Sequence, residues 1–185
     1  MNINLQQQKP LFLLTLMICI SGLAYAQTTP PPPPTTTTTT PHVYPRITNA
    51  VGIVHPIVSF NSEGTTTNFD NGYTAGLAVG LNIWKSAKLG FSFEFVPFIH
   101  AEDGMSKMSN FLFHPGVLFP AGKGFTIVGR AAFETSGRYG VTPVFNKIVK
   151  KNKHSNYYVA VPVPVRFGNN RPNSIGAAFQ FGLGF

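Results

Sequence analysis

The chain has one cysteine, Cys19, and it lies within the first 26 residues. These read as a secretory signal. "LFLLTLMICI" is an apolar run too short for a spanning helix, and Ala24-Tyr25-Ala26 supplies the cleavage pattern before Gln27. Lipidation of Cys19 would want a small residue before it, and Ile18 is not small. With the signal removed, no disulfide, thiol nucleophile or cysteine metal site remains, so an exported chain must be stabilised another way. A persistent helical period of 3.6 is also missing. So is a phosphate loop: the glycines of "TAGLAVGLNI" sit in a strand pattern, not between strand and helix, and a dinucleotide reading fails. Acidic residues are few, six Asp+Glu against 14 Lys+Arg. Such a basic balance can signal nucleic-acid binding. Here the charges form no single face, and the one cluster, Lys147, Lys150, Lys151, Lys153 and His154, reads as a turn. No nucleic-acid partner is expected.

What is present falls into three parts. Residues 1–26 are the signal. Residues 27–45 are a linker dominated by "TTPPPPPTTTTTTP", whose prolines favour extended polyproline II and whose composition packs no core. From Thr28 to Pro45 it reaches about 55 Å at ~3.1 Å per residue. From Arg46 to Phe185 the composition changes, and sixteen of the 17 phenylalanines lie here. The repeat is now period two, the mark of strands. "LGFSFEFVPFI" sets Phe91, Phe93 and Phe95 opposite Ser92, Glu94 and Val96. "YVAVPVPVRF" sets its valines opposite Ala160, Pro162, Pro164 and Arg166.

Eight such segments are predicted, over 48–60, 73–84, 88–100, 110–119, 124–135, 139–148, 156–167 and 174–185. Each suits a tilted membrane-crossing strand of ~9–11 residues. One face is bulky and apolar, the other small or polar. A soluble sandwich hides its large apolar side chains. Outer-membrane barrels turn them to lipid and must close, because an open edge in hydrocarbon leaves backbone groups unpaired. The predicted fold is therefore all-β: an eight-stranded antiparallel up-and-down transmembrane β-barrel. Closure also explains why the greasy strand "AAFQFGLGF" ends the chain: it pairs with the first strand. Pro162 and Pro164 predict a bulge or a poorly paired stretch. Pro97, Pro115 and Pro143 pose the same difficulty. Tyr73 and Trp84 bracket the second segment like girdle aromatics, though their parities differ.

With these features, residues 46–185 resemble the small eight-stranded outer-membrane β-barrels, in particular the short outer-membrane-protein β-barrel-domain proteins common in Bacteroidota. "LNIWKSAKLGFSFEF" looks like one of that family's periplasmic hairpins. The resemblance implies that Phe179, Phe181, Leu183 and Phe185 form the signal read by the barrel-assembly machinery. It implies an outer-membrane location with lipid and lipopolysaccharide as surroundings. Both chain ends of the barrel would face the periplasm, with turns at 85–87, 120–123 and 149–155. Loops at 61–72, 101–109, 136–138 and 168–173 would face outside. A monomer is expected.

By parity Glu94, Arg130, Glu134 and Arg166 point inward. A lumen this narrow is filled by its own side chains, and the carboxylates are predicted to pair with the arginines, since unpaired buried charges cost several kcal/mol. The role expected is structural, adhesive or surface-interacting, with a plugged lumen and no open pore. No enzyme activity, cofactor or metal is expected. The rim allows two other readings: His100 with Glu102, Asp103 and Ser106 as a hydrolytic centre, or His100, Glu102 and Asp103 around a divalent cation. His55 and His114 read as isolated strand residues. The alternative to a membrane barrel is a soluble secreted or periplasmic lipocalin-like barrel that binds an apolar ligand; it would place Phe91, Phe93 and Phe95 inside.

Overall fold

The computed structural model describes residues 43–185. The signal expected over 1–26, and all but the last three residues of the linker expected over 27–45, lie outside the described residues. Among the described residues there is no helix. The chain forms ten strands: β1 (Arg46–Asn61), β2 (Gly64–Thr67), β3 (Tyr73–Trp84), β4 (Gly90–Glu102), β5 (Met105–Gly122), β6 (Phe125–Glu134), β7 (Tyr139–Lys151), β8 (Asn156–Pro162), β9 (Val165–Phe167) and β10 (Ser174–Gly184). All pairings are antiparallel. Neighbours pair in sequence from β1 and β3 round to β8 and β10. β10 then pairs back onto β1, from Ala50↔Gly184 to Phe60↔Ile175, so the hydrogen bonding closes into a ring.

Ten strands occur where eight segments are predicted, and both additions have a local cause. β2 folds back on β1 within the stretch expected as the 61–72 loop, starting at the Asn61↔Gly64 pair. The 156–167 segment is interrupted at Val163 and Pro164, leaving β8 and β9 in the same gap between β7 and β10. Prolines 162 and 164 have no N–H to donate. The break is still tied to both neighbours: the Val163 amide donates to the Pro143 carbonyl at 2.8 Å, and the Gly176 amide to the Pro164 carbonyl at 2.8 Å. Three of the four register shifts also fall at or beside a proline, at Pro56/Val58, at Phe98/Ile99 after Pro97, and at Pro120/Gly122. A bulge absorbs the missing donor.

The loop expected over 101–109 is a tight hairpin instead. Glu102 pairs with Met105, and Asp103 and Gly104 turn the chain with φ of 49° and 76°. Two left-handed residues in succession make the turn that matches strand twist. β5 consequently starts at Met105, not near 110. β7 likewise runs to Lys151 and shortens the 149–155 turn.

Side chains alternate between the enclosed interior and the outside. On β4, Ser92, Glu94 and Val96 are buried while Phe91, Phe93 and Phe95 stay 36–43% exposed. The interior is not lined by small or polar residues alone, contrary to expectation. Two apolar clusters fill it. One joins Val54, Ala78, Val96, Leu112, Ala132 and Ala178, with Phe98 against them. The other joins Leu118, Val128, Val144, Tyr158 and Ala160, with Ala50 and Trp84 against them. A narrow ring must be filled to interior density, and apolar atoms do this without leaving polar groups unpaired. Trp84 thus turns inward, its indole N–H donating to Thr48 Oγ1 at 3.0 Å. Tyr73 stacks on Phe69 and bonds His55.

Candidate functional site

Between the two apolar clusters lies a polar layer. Glu94 of β4 is its centre. Arg130 of β6 donates from Nη1 to Glu94 Oε1 at 2.7 Å and from Nη2 to Ser92 Oγ at 3.3 Å. Gln180, on β10 across the interior, donates from Nε2 to Glu94 Oε2 and to the Tyr158 hydroxyl, at 3.3 and 3.2 Å. His114 is the register partner of Glu94 on β5, and its Nδ1 lies 3.5 Å from Glu94 Oε1.

The layer continues towards the end of the ring that carries the β1–β2 and β6–β7 connections. His114 Nε2 meets Thr142 Oγ1 at 2.8 Å, and Arg166 Nη1 donates to the same hydroxyl at 2.9 Å. Arg166 Nε donates to Glu134 Oε1 at 2.5 Å. Glu134 Oε2 accepts from Asn110 and from Ser136 of the β6–β7 turn at 2.8 and 2.9 Å. One network therefore runs from mid-interior to the rim. Its two carboxylates and two guanidiniums balance.

The structure brings Glu94 to Arg130 and Glu134 to Arg166, with all four side chains 12% exposed or less. Tethered to one charged layer, His114 is not the isolated strand residue expected. Gln180, Thr142, Tyr158 and Ser92 also belong to the layer and were not singled out by charge. Their inward parity was readable, but not their common depth.

The layer divides two cavities. One, of about 370 Å³, reaches towards the β1–β2 and β9–β10 connections; the other, of about 330 Å³, reaches towards Trp84 and the β7–β8 turn. Glu94, Arg130 and Gln180 line both. These three side chains form a septum that borders both cavities.

The other predicted residues lie elsewhere. Phe179 and Phe181 point outward from β10, 41% and 43% exposed, beside Leu183 and Phe185. Phe185 is held to β1 by reciprocal backbone bonds with Asn49. At the rim, His100 spends its nitrogens on Thr74 Oγ1 at 2.9 Å and Glu102 Oε2 at 3.4 Å, leaving none for Ser106. Asp103 sits in the hairpin turn, and among the described residues no three His, Cys, Asp or Glu side chains cluster as metal ligands. His55 lies on the outer face, stacked on Phe181. Comparison with protein-family models, curated proteins and solved structures finds no match to this chain.

Proposed function

We propose that this protein is an integral outer-membrane β-barrel with a structural, adhesive or surface-interaction role and a lumen plugged against free passage. The observation that carries this reading is the combination of a closed hydrogen-bond ring with an apolar outer face. Twelve of the phenylalanines beyond Arg46 are exposed, from 36% to 71%. At roughly 200 Å² per ring side chain, they alone leave on the order of 1,000 Å² of apolar surface open. Several of these rings adjoin, directly in the Phe179–Phe181 contact and through Phe113 in the Phe95–Phe113 and Phe113–Phe133 contacts, whereas the largest contiguous apolar patch of a soluble monomer is about 300–600 Å². Water would penalise such a surface, whereas lipid does not, and closure removes the unpaired edge that lipid forbids.

Counted as positions round the ring, with β8 and β9 sharing one and β2 an appendage of β1, the strands number eight, the size at which side chains fill the lumen. The septum of Glu94, Arg130 and Gln180 supports a plug over a pore. The β4–β5 hairpin supports a surface role. β5 has 18 residues where a crossing needs ~9–11, and Met105 and Met108 near its tip are 75% and 64% exposed. In the family's usual orientation this tip faces outward, and Phe185 and Arg46 face the periplasm. The family resemblance also makes the outer face of β10, ending in Phe185, the assembly signal.

The test is gel mobility in SDS of the detergent-extracted membrane fraction, boiled against unboiled. A heat-dependent shift of protein found in the outer membrane supports the reading. A soluble periplasmic protein with no shift refutes it and favours the lipocalin-like alternative, with the 370 Å³ cavity as its ligand site.

A further inference from the structure

The charges outside the interior are sorted between the two ends of the ring. At the Trp84 end lie Arg46, Lys85 and Lys88 of the β3–β4 turn, and Lys123 of the β5–β6 turn. Four more lysines, 147, 150, 151 and 153, come from the β7–β8 hairpin. These are eight of the 13 Lys+Arg between residues 43 and 185, and no Asp or Glu accompanies them. The opposite end has Glu63, Asp70, Glu102 and Asp103 against Arg138, Lys107 and Arg171. The side chains at the Trp84 end therefore carry +8 and those at the other −1, with the interior pairs neutral. Every hairpin turn at the first end contributes a cation, so the charge encircles the ring.

We propose that this collar binds the phosphates of anionic phospholipids in the leaflet at the Trp84 end. The inference rests on the membrane reading above and adds the headgroup chemistry and the end that recognises it. Eight cationic side chains with no acidic side chain among them repel one another, and an anionic surface relieves that repulsion. Position decides which surface. The collar borders the apolar band: Lys147 Nζ lies 3.9 Å above the ring of Phe125 and Lys150 Nζ lies 6.0 Å from the ring of Tyr157, both rings being exposed on the outer face. The surface that meets the ammonium groups must continue into the surface that meets the rings. A nucleic acid or acidic protein offers charge without the adjoining hydrocarbon. A phospholipid leaflet offers phosphate directly above acyl chains, and basic stems with aromatic neighbours fit that boundary.

The experiment reconstitutes the full chain in phosphatidylcholine vesicles and measures the association of spin-labelled phosphatidylglycerol relative to spin-labelled phosphatidylcholine. At 20 mM salt the expected preference is about three- to tenfold, given the contribution of each cation near an anionic surface. It falls towards one at 0.5 M salt and in the K85Q/K88Q/K150Q/K151Q variant. Inserted, heat-modifiable protein with no preference at low salt overturns the inference and leaves the membrane reading standing. A preference unchanged by salt and by the variant also overturns it. Protein that fails to enter the vesicles refutes the membrane reading, and the collar inference with it.

Discussion

Replacing Arg130 by Met keeps most of the side chain's volume and removes the strongest partner of Glu94. The Glu94 side chain is 6% exposed, and what remains is Gln180 at 3.3 Å and His114 at 3.5 Å. Removing one member of a buried pair costs about 3–5 kcal/mol, because a desolvated charge is left behind. For a chain of this size each kcal/mol moves the midpoint by about 2–4 °C, so Arg130→Met lowers the conversion temperature by roughly 6–20 °C. Glu94→Gln strands the guanidinium and costs a similar amount. The double variant removes both charges, leaves a neutral amide beside Gln180, and recovers most of the loss. The assay follows the compact band against temperature for the wild type, both single variants and the double variant, which closes a thermodynamic cycle. If Arg130→Met shifts the midpoint by less than about 2 °C, or the two losses simply add, Glu94 and Arg130 are not a coupled buried pair and the septum has another basis.

Phe93→Lys puts a charge on the outer face opposite the septum. In a bilayer it costs about 2–4 kcal/mol, read from urea unfolding in lipid vesicles; no loss would contradict the lipid-facing assignment. In Gly182→Ala a methyl group would sit 2.2 Å from the Val51 carbonyl oxygen and 2.7 Å from the Gly52 Cα, whereas at Gly80 the nearest atom is 3.8 Å away. Gly182→Ala therefore destabilises by about 1–3 kcal/mol and Gly80→Ala does not, measured by the same unfolding. In the loop after β2, the Thr67 amide and hydroxyl hold the Asp70 carboxyl below its ordinary value of 3.8. A lowered folded value means that the carboxylate's support is fully present above the ordinary value and lost as pH falls through the folded one. Hydrogen-exchange protection of the Thr67 amide should drop over that interval, and Asp70→Asn should lack the drop.

Much of this was legible along the chain because strand parity is a local property. The alternation of Phe91, Phe93 and Phe95 with Ser92, Glu94 and Val96 separates the faces without knowledge of any neighbour, and it also assigned Glu94, Arg130, Glu134 and Arg166 to the interior. Glycine and proline marked the turns to within a few residues, except where Asp103-Gly104 permitted a tight turn and the 101–109 stretch paired as a hairpin. The break at Val163 and Pro164 was readable from two missing amides.

The sequence by itself determined which residues face the same way on each strand, since side chains alternate wherever the chain is extended. Only the tertiary structure decided which inward residues meet. Depth depends on the registers accumulated round the ring, and each bulge, at Pro56, Phe98, Pro120 and Ile148, moves it. Glu94 and Gln180 are 86 residues apart, and no local pattern relates them. The closure of β10 on β1 brings them to one level. The ring around them then leaves the Glu94 and Arg130 side chains almost fully buried, and that burial makes their pairing matter energetically.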